Sequence, residues 1–564
     1  MIKNKFCFVI NDYFLAAITI IFAYQINNYF GFIGVNSADS FQTFDSGHRV
    51  LNGDLPFKDY WSTEGPLLDI FQAFFFKILE PNWFSYVIHA SILNSIFAFF
   101  VYLYSRVNKI PKNLSLFFGV LSGLIMYPAA GTPQVDHHAI IIGTISLIFF
   151  FTFLKKKNFK ILIIFPTIFL ACFFIKQVPT AYYIIFISLI ALIYSITLKE
   201  NEVMINLLMG SFIAGILFFL IIKSNNIYFA DIYDQYFALI LGNFSFRIDN
   251  HTGGSYLDNI LKIKYIILLI IPIIFVIYQK LKKYNLKKEK KYYLDAYLFI
   301  SLIISSVLHE SYTNNQSVTF GLIPIYSILI FLLVKDNKSI NLFYIFGLLT
   351  IIGALRLINA NEIYLFLIIL LLFLYLFKLK THLIVKKISY LILIYTLLIS
   401  LLYFENIIRN RYWFDIISPN WTKSIKAQEI DSKLRGLVWL SDNQNTEKEI
   451  SDIKYTLSYL KTLDENYIII TSYQIYNTIL NKKNYSPVKY WWHNWTYPAE
   501  GRKYKSKFDI FFKKKINENE VKKVIVANDI LEYFEIDQFQ WLNNCTLEEE
   551  ENQTFEIFKI VKKC

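Results

Sequence analysis

Ionisable side chains crowd one short stretch near the start of the chain. Asp39, Asp45, His48, Arg49, Asp59 and Glu64 lie between Asn36 and Pro66, with long apolar runs on either side. Carboxylates are unfavourable beside hydrocarbon, so a cluster kept there points to chemistry at a bilayer surface. Asp39 is the candidate base: moving a group onto a hydroxyl needs a carboxylate to take the proton and positive charge to steady the departing group. Its alternative use is to cap a helix starting near Phe41. Asp136, His137 and His138 follow Pro133 and form a second set, with Asp136 the second candidate catalytic group. A carboxylate with two imidazoles suits a divalent metal such as Mg or Mn, or hydrogen bonds to a phosphate; the alternative is a helix cap with solvated histidines.

Cations suited to a phosphate are Lys176, Arg247 and Arg356, with His309, beside Glu310, as a further candidate. They fall on the side of the membrane where orientation does not call for positive charge, and arginine matches phosphate geometry; snorkelling of a long side chain is the alternative. Asp59 and Glu64 could orient an acceptor or be solvated loop charges. Asp45 and Arg49, one helical turn apart, are expected to form an ordinary surface pair. Tyr490, Trp491, Trp492, His493, Asn494 and Trp495 resemble either a sugar-binding surface or, more plainly, an aromatic belt at the bilayer interface.

The elements that must hold these residues follow from composition. The chain has 564 residues, 55% hydrophobic and 18% aromatic, with a mean hydropathy of +0.41. That is too apolar for an ordinary soluble protein, and the apolar residues come in runs of the length a bilayer demands. The net charge of +13 resides largely in short loops such as Lys155–Lys157 and Lys280–Lys291. This is the distribution that retains loops in the cytoplasm; it argues against nucleic acid as a partner and is compatible with membrane lipids. Cys7, Cys172, Cys545 and Cys564 lack metal-type spacing. The last two could pair in an oxidising compartment, although free thiols are the simpler expectation. The first apolar run continues to Phe32 without a small-residue cleavage site and reads as an uncleaved span.

Spans are expected at Tyr13–Phe32, Phe84–Tyr104, Leu114–Tyr127, Ala139–Leu154, Ile161–Ile175, Ala181–Ile196 and Val203–Ile222, with the remainder between Ile263 and Phe404, about thirteen in all. Lys176 to Pro179 is either a tight turn or a kink in one long helix. Lysine and arginine gather in alternate loops, which puts the N-terminus in the cytoplasm of a bacterial inner (plasma) membrane and residues 405–564 outside. The first external loop, 35–83, should carry two interfacial helices. One presents Phe41, Phe44, His48 and Leu51 on a face, and the other starts at Pro66 with a stripe of Leu67, Leu68, Phe71, Phe74, Phe75 and Ile78. In the tail, Glu447–Leu463 and Tyr473–Leu480 read as helices, and Tyr467–Thr471, Val521–Ala527 and Thr554–Val561 as strands. The expected architecture is a polytopic all-α membrane domain, 1–404, followed by a small α/β extracytoplasmic domain, 405–564. No glycine-rich phosphate loop follows a strand.

This layout resembles the GT-C superfamily of integral-membrane glycosyltransferases that use polyprenyl-phosphate sugars, of the protein O-mannosyltransferase and aminoarabinose transferase type. The residues that carry the resemblance are Asp39 after the first span, then Arg49, Leu51, Gly53, Pro56, Phe57 and Asp59, then Gly65, Pro66 and Leu67, with Asp136 in the next external loop. The family often has Asp-Glu at the first motif, whereas Ser40 follows Asp39 here. The resemblance implies transfer, with inversion, from a polyprenyl-phosphate sugar donor to a glycan, lipid or protein hydroxyl on the extracytoplasmic face. A transporter or flippase of lipid-linked glycans should instead show two related halves and charges deep in the membrane, which the sequence lacks. A polymerase or ligase of surface polysaccharide, or a scaffold that binds glycans without turnover, are the other readings; only a scaffold would tolerate loss of Asp39.

Overall fold

The computed structural model describes residues 10–107, 110–239, 404–411, 421–441, 445–492, 495–498, 504–530, 539–551 and 553–564, with a few single positions besides. Ile394 apart, they fall in one compact unit made of residues 1–242 and 397–564. The spans expected between Ile263 and Phe404, and with them Arg247, His309 and Arg356, lie outside the described residues.

The amino-terminal part is helical: α1 (Ile10–Gly31), α2 (Ser37–Leu51), α3 (Pro66–Leu79), α4 (Trp83–Val107), α5 (Lys112–Ile125), α6 (Val135–Lys155), α7 (Phe165–Phe173), α8 (Gln177–Leu198) and α9 (Glu202–Ser224). Among the described residues, Trp83–Val107, Val135–Leu154 and Glu202–Ser224 are long and apolar enough to cross a membrane. α1, α4 and α5 touch through small residues, as helices do where lipid supplies no drive for association. A Cβ at Gly123 would lie 2.5 Å from that of Ala23. Asn94 reinforces the contact by donating to the Ala23 and Gly123 carbonyls at 2.9 and 2.7 Å. α9 turns Leu208, Phe212 and Phe219 outward, the surface of a helix solvated by lipid. α7 and α8 are separate helices: Lys176, extended at φ −153°, caps α8, so the Lys176–Pro179 stretch opens with a turn.

Asn36 caps α2. Its Oδ1 accepts from the Asp39 N–H at 3.0 Å, and the Ser40 hydroxyl accepts from the Asn36 N–H at 2.9 Å, a reciprocal cap. The capping role considered for Asp39 thus belongs to Asn36. α2 is covered by protein: Ser40 to Arg49 are all buried, against α3, α4 and the carboxy-terminal region. α3 begins where Gly65, at φ +69°, turns the chain into Pro66, and a Cβ there would sit 2.7 Å from Val135 Cγ1 at the start of α6. α3 presents Phe71, Phe74 and Ile78 outward and Asp69, Gln72 and Phe76 inward. An amphipathic helix turned apolar-side-out suits an acyl boundary, with the protein interior taking its polar side.

The carboxy-terminal region carries a four-stranded sheet in the order β3 (Tyr467–Ile470), β4 (Lys523–Ala527), β6 (Phe555–Ile560), β5 (Thr546–Glu551). β3 and β4 are parallel and linked through helices that include Lys505–Glu518; the other pairs are antiparallel. β3 is buried along its whole length, which explains its unbroken apolar run. The helix Thr446–Thr462 matches its periodicity, and the next is short, Tyr476–Leu480. Trp491 and Tyr490 are buried, Trp491 packing on Tyr497, Phe512 and Phe534, so these two supply core where an aromatic belt was expected; Trp492 stays 39% exposed. A separate ribbon, β1 (Ile425–Lys426) with β2 (Val438–Trp439), extends to the end of α1: Gly34 N–H donates to Val438 O at 3.0 Å and Val35 N–H to Leu440 O at 2.8 Å.

Cys545 and Cys564 form a disulfide, against the expectation of free thiols, while Cys172 is a buried thiol. With a sequence separation of 19, the bridge closes a loop worth roughly 3 kcal/mol of stability. Non-reducing peptide mapping should return the two cysteines as one linked pair, and Cys545→Ser should lower the denaturation midpoint of the full chain accordingly.

Candidate functional site

Four of the sequence-selected residues meet at one end of the helices. Asp39 lies half-buried in the first turn of α2, and Gln134 Nε2 donates to its main-chain carbonyl at 3.1 Å. Gln134 is the N-cap of α6, whose first turn holds Asp136. Both carboxylates therefore occupy helix starts. Lys176, at the start of α8, reaches within 3.8 Å of Asp136 Oδ1 and forms an ion pair with Glu64. The Glu64 loop is fastened to the same turn: Gln177 Nε2 donates to Thr63 O at 2.6 Å, and Gly65 N–H to Ile175 O at 3.1 Å. One cation flanked by acids, beside apolar helices, can exchange its carboxylate partners for a phosphate.

The histidines after Asp136 point elsewhere. His138 Nε2 meets His89 Nε2 at 3.0 Å, its Nδ1 bonds the Tyr127 hydroxyl, and His89 Nδ1 contacts Gln72 Oε1 at 2.8 Å. His138 Nδ1 also lies 3.1 Å from the Gln134 carbonyl, so Gln72, His89, His138, Tyr127 and Gln134 form one buried polar chain. His137 packs against Tyr127 with centroids 5.0 Å apart. Among the described residues no group of three or more His, Cys, Asp or Glu has the geometry to hold a metal, so Asp136, His137 and His138 do not converge as the metal option required. Asp59 accepts from Leu55 N–H at 2.8 Å and faces Lys515 at 3.5 Å, which gives it a place in shaping the loop.

Asp45 and Arg49 do not form the surface pair expected of them. Both are buried, and each has other partners. Asp45 accepts from Asn484 Nδ2 at 2.7 Å and Thr478 Oγ1 at 3.2 Å. Arg49 pairs with Asp54 at 3.1 Å, donates to the carbonyls of Ser486 and Val488, and lies 4.3 Å from the centre of the Tyr60 ring. Beside them is a residue that sequence reasoning missed. Lys489, 2% exposed, is 2.7 Å from Asp69 and donates to Glu64 O at 3.2 Å. Ser46 and Tyr60 hydroxyls also donate to Asp69, at 2.7 and 2.8 Å. The one sequence signal was Asp69 itself, a charge breaking the α3 stripe. Lys489 thus ties the carboxy-terminal region to the backbone of the loop that presents Glu64 to Lys176.

Burial pushes the Asp45 carboxyl from 3.8 up to about 6, against the pull of Arg49 and the Asn484 and Thr478 hydrogen bonds. Between those values the folded chain keeps a proton that the unfolded chain has lost, so stability falls as pH rises through that window and is level above it. The melting temperature of Asp45→Asn should accordingly depend less on pH between about 4 and about 6 than that of the parent, as scanning fluorimetry in detergent would read.

No family model matches the chain, and no curated protein matches it. Among solved structures it is similar to the crystal structure of ArnT from Cupriavidus metallidurans bound to undecaprenyl phosphate, with 8% identity over 97% of each chain and a TM-score of 0.37, a likeness that carries no argument about this chain.

Proposed function

We propose that the chain is a membrane glycosyltransferase that moves a sugar from a polyprenyl-phosphate donor to a hydroxyl of a glycan, lipid or protein, on the extracytoplasmic face of a bacterial inner membrane. The observation that carries this reading is the gathering of Asp39, Asp136, Lys176 and Glu64 at the starts of α2, α6 and α8 and in the loop between α2 and α3. In the proposed step Asp39 takes the proton of the acceptor hydroxyl as its oxygen bonds the anomeric carbon. The bond from that carbon to the phosphate oxygen breaks, its electron pair leaves with the lipid phosphate, and the sugar inverts. Lys176 receives the phosphate charge and gives up Glu64 and Asp136 to do so. Asp136, relieved of Lys176, then faces the sugar. Residues 1–404 are the proposed catalytic membrane part and 405–564 an extracytoplasmic domain that holds the first loop in shape; Arg247, Arg356 and His309 remain proposed donor contacts, and Asp59 and Glu64 proposed acceptor-side residues.

The test is a mass comparison of glycolipids and surface glycans from cells with the parent chain and cells lacking it. One class should carry an extra sugar only in the presence of the chain, and identical profiles would remove the transferase reading. In a reconstituted assay Lys176→Gln should raise the donor KM roughly 10–100-fold, the range for loss of a charged contact, with a smaller change in kcat. An unchanged KM would discard Lys176 as the phosphate contact.

A further inference from the structure

A groove opens beside the end of α1, enclosing about 810 Å³, and none of Asp39, Glu64, Asp136 or Lys176 lines it. Its walls differ in chemistry. One is aromatic: Tyr29 from α1, Phe32 just after it, Phe84 from the start of α4, and Trp421. Tyr29, Phe84 and Trp421 are 62%, 50% and 47% exposed. Large rings left outside a core at the ends of apolar helices belong at headgroup depth. The basic turn holding Lys433 and Arg435 lines the groove as well. Lys433 Nζ donates to Thr478 O at 2.7 Å, while Arg435 is exposed and makes no ion pair among the described residues. The nearby Asp431 carboxylate accepts from the Lys433 N–H at 2.8 Å. The turn is pressed close: Gly436, at φ +90°, would place a Cβ 3.2 Å from the Phe32 ring. Asn28 also lines the groove, and its buried Oδ1 has no hydrogen-bond partner among the described residues.

Cations and exposed aromatic rings lining one groove match a molecule that is at once anionic and greasy. We propose that this groove binds an anionic glycerophospholipid, its phosphodiester at Arg435 and Lys433 and its acyl chains along Tyr29 and Phe84. The volume is within the usual range of small-ligand sites, and a guanidinium suits phosphate oxygens. The site is separate from the proposed sugar-transfer chemistry and does not depend on it.

Native mass spectrometry of the full chain in non-ionic detergent tests this, with phosphatidylglycerol and phosphatidylcholine supplied at equal concentration. The parent should retain phosphatidylglycerol in preference, Arg435→Glu should lower that retention about tenfold, and Arg435→Lys should keep most of it. Asp39→Asn should bind as the parent does, so failure here and failure of the transferase reading are distinguishable. Equal retention of the zwitterionic lipid, parent-like retention by Arg435→Glu, or displacement of the lipid by inorganic phosphate would each overturn the proposal. Should Arg435→Glu fail to fold, Trp421→Ala leaves both cations in place; it should release the lipid, and unchanged retention by it would equally overturn the site.

Discussion

Asp39→Asn should lower sugar transfer by about 10²–10⁴-fold, the usual contribution of a positioned general base. Two contacts that set the turn there are made by the Asp39 main chain and survive the substitution. Asn36 Oδ1 receives the Asp39 N–H, and Gln134 bonds the Asp39 carbonyl. Asparagine keeps both and has nearly the same shape, so α2 should start as before. The measurement is turnover of a lipid-linked sugar in proteoliposomes, alongside protein abundance and melting temperature. Parent-like turnover by a folded variant would remove Asp39 as the base.

The second large effect is one of stability. Lys489→Met should destabilise the chain by roughly 3–5 kcal/mol, because it leaves the Asp69 carboxylate buried without its cation. Asp69 is fully buried, and burial already pushes its carboxyl upward. The double variant Asp69→Asn with Lys489→Met should recover much of the loss, since one of the Ser46 and Tyr60 hydroxyls can still donate to the amide oxygen while the other accepts from the amide N–H. Denaturation of the single and double variants in detergent gives the coupling directly. A single variant as stable as the parent would show that the pair does not fasten the loop.

These two residues also show how far the sequence could be read. Asp39, Asp136, Glu64 and Lys176 were chosen from their types and from their places next to apolar runs, and the fold brings them together because all four lie at helix starts or in one short loop. The strands β3 and β4 were legible because a sheet buried on both sides leaves an unbroken apolar signature. α2 was readable only in part. Helical periodicity gave the face that Phe41, Phe44 and His48 share, but it does not say what covers the other face. There the covers are Thr478, Asn484 and Ser486, more than four hundred positions along the chain, so Asp45 and Arg49 looked like surface charges. The same remoteness hid Lys489. In the aromatic run around Trp491, ring content alone could not separate a protein core from a bilayer interface, since both favour the same side chains.

The strand-like pairing between Phe32–Val35 and Val438–Leu440 has a bearing on biogenesis. The first of these segments leaves the ribosome long before its partner is synthesised, and in that interval the Gly34 and Val35 amides lack the Val438 and Leu440 carbonyls, Asp45 lacks Thr478 and Asn484, and Asp69 lacks Lys489. Assembly of the first loop therefore waits for nearly the whole polypeptide, a high-contact-order closing step that a chaperone or water must cover. Nascent chains halted before Val438 should be recognised as unfinished and degraded, however well their early helices have inserted.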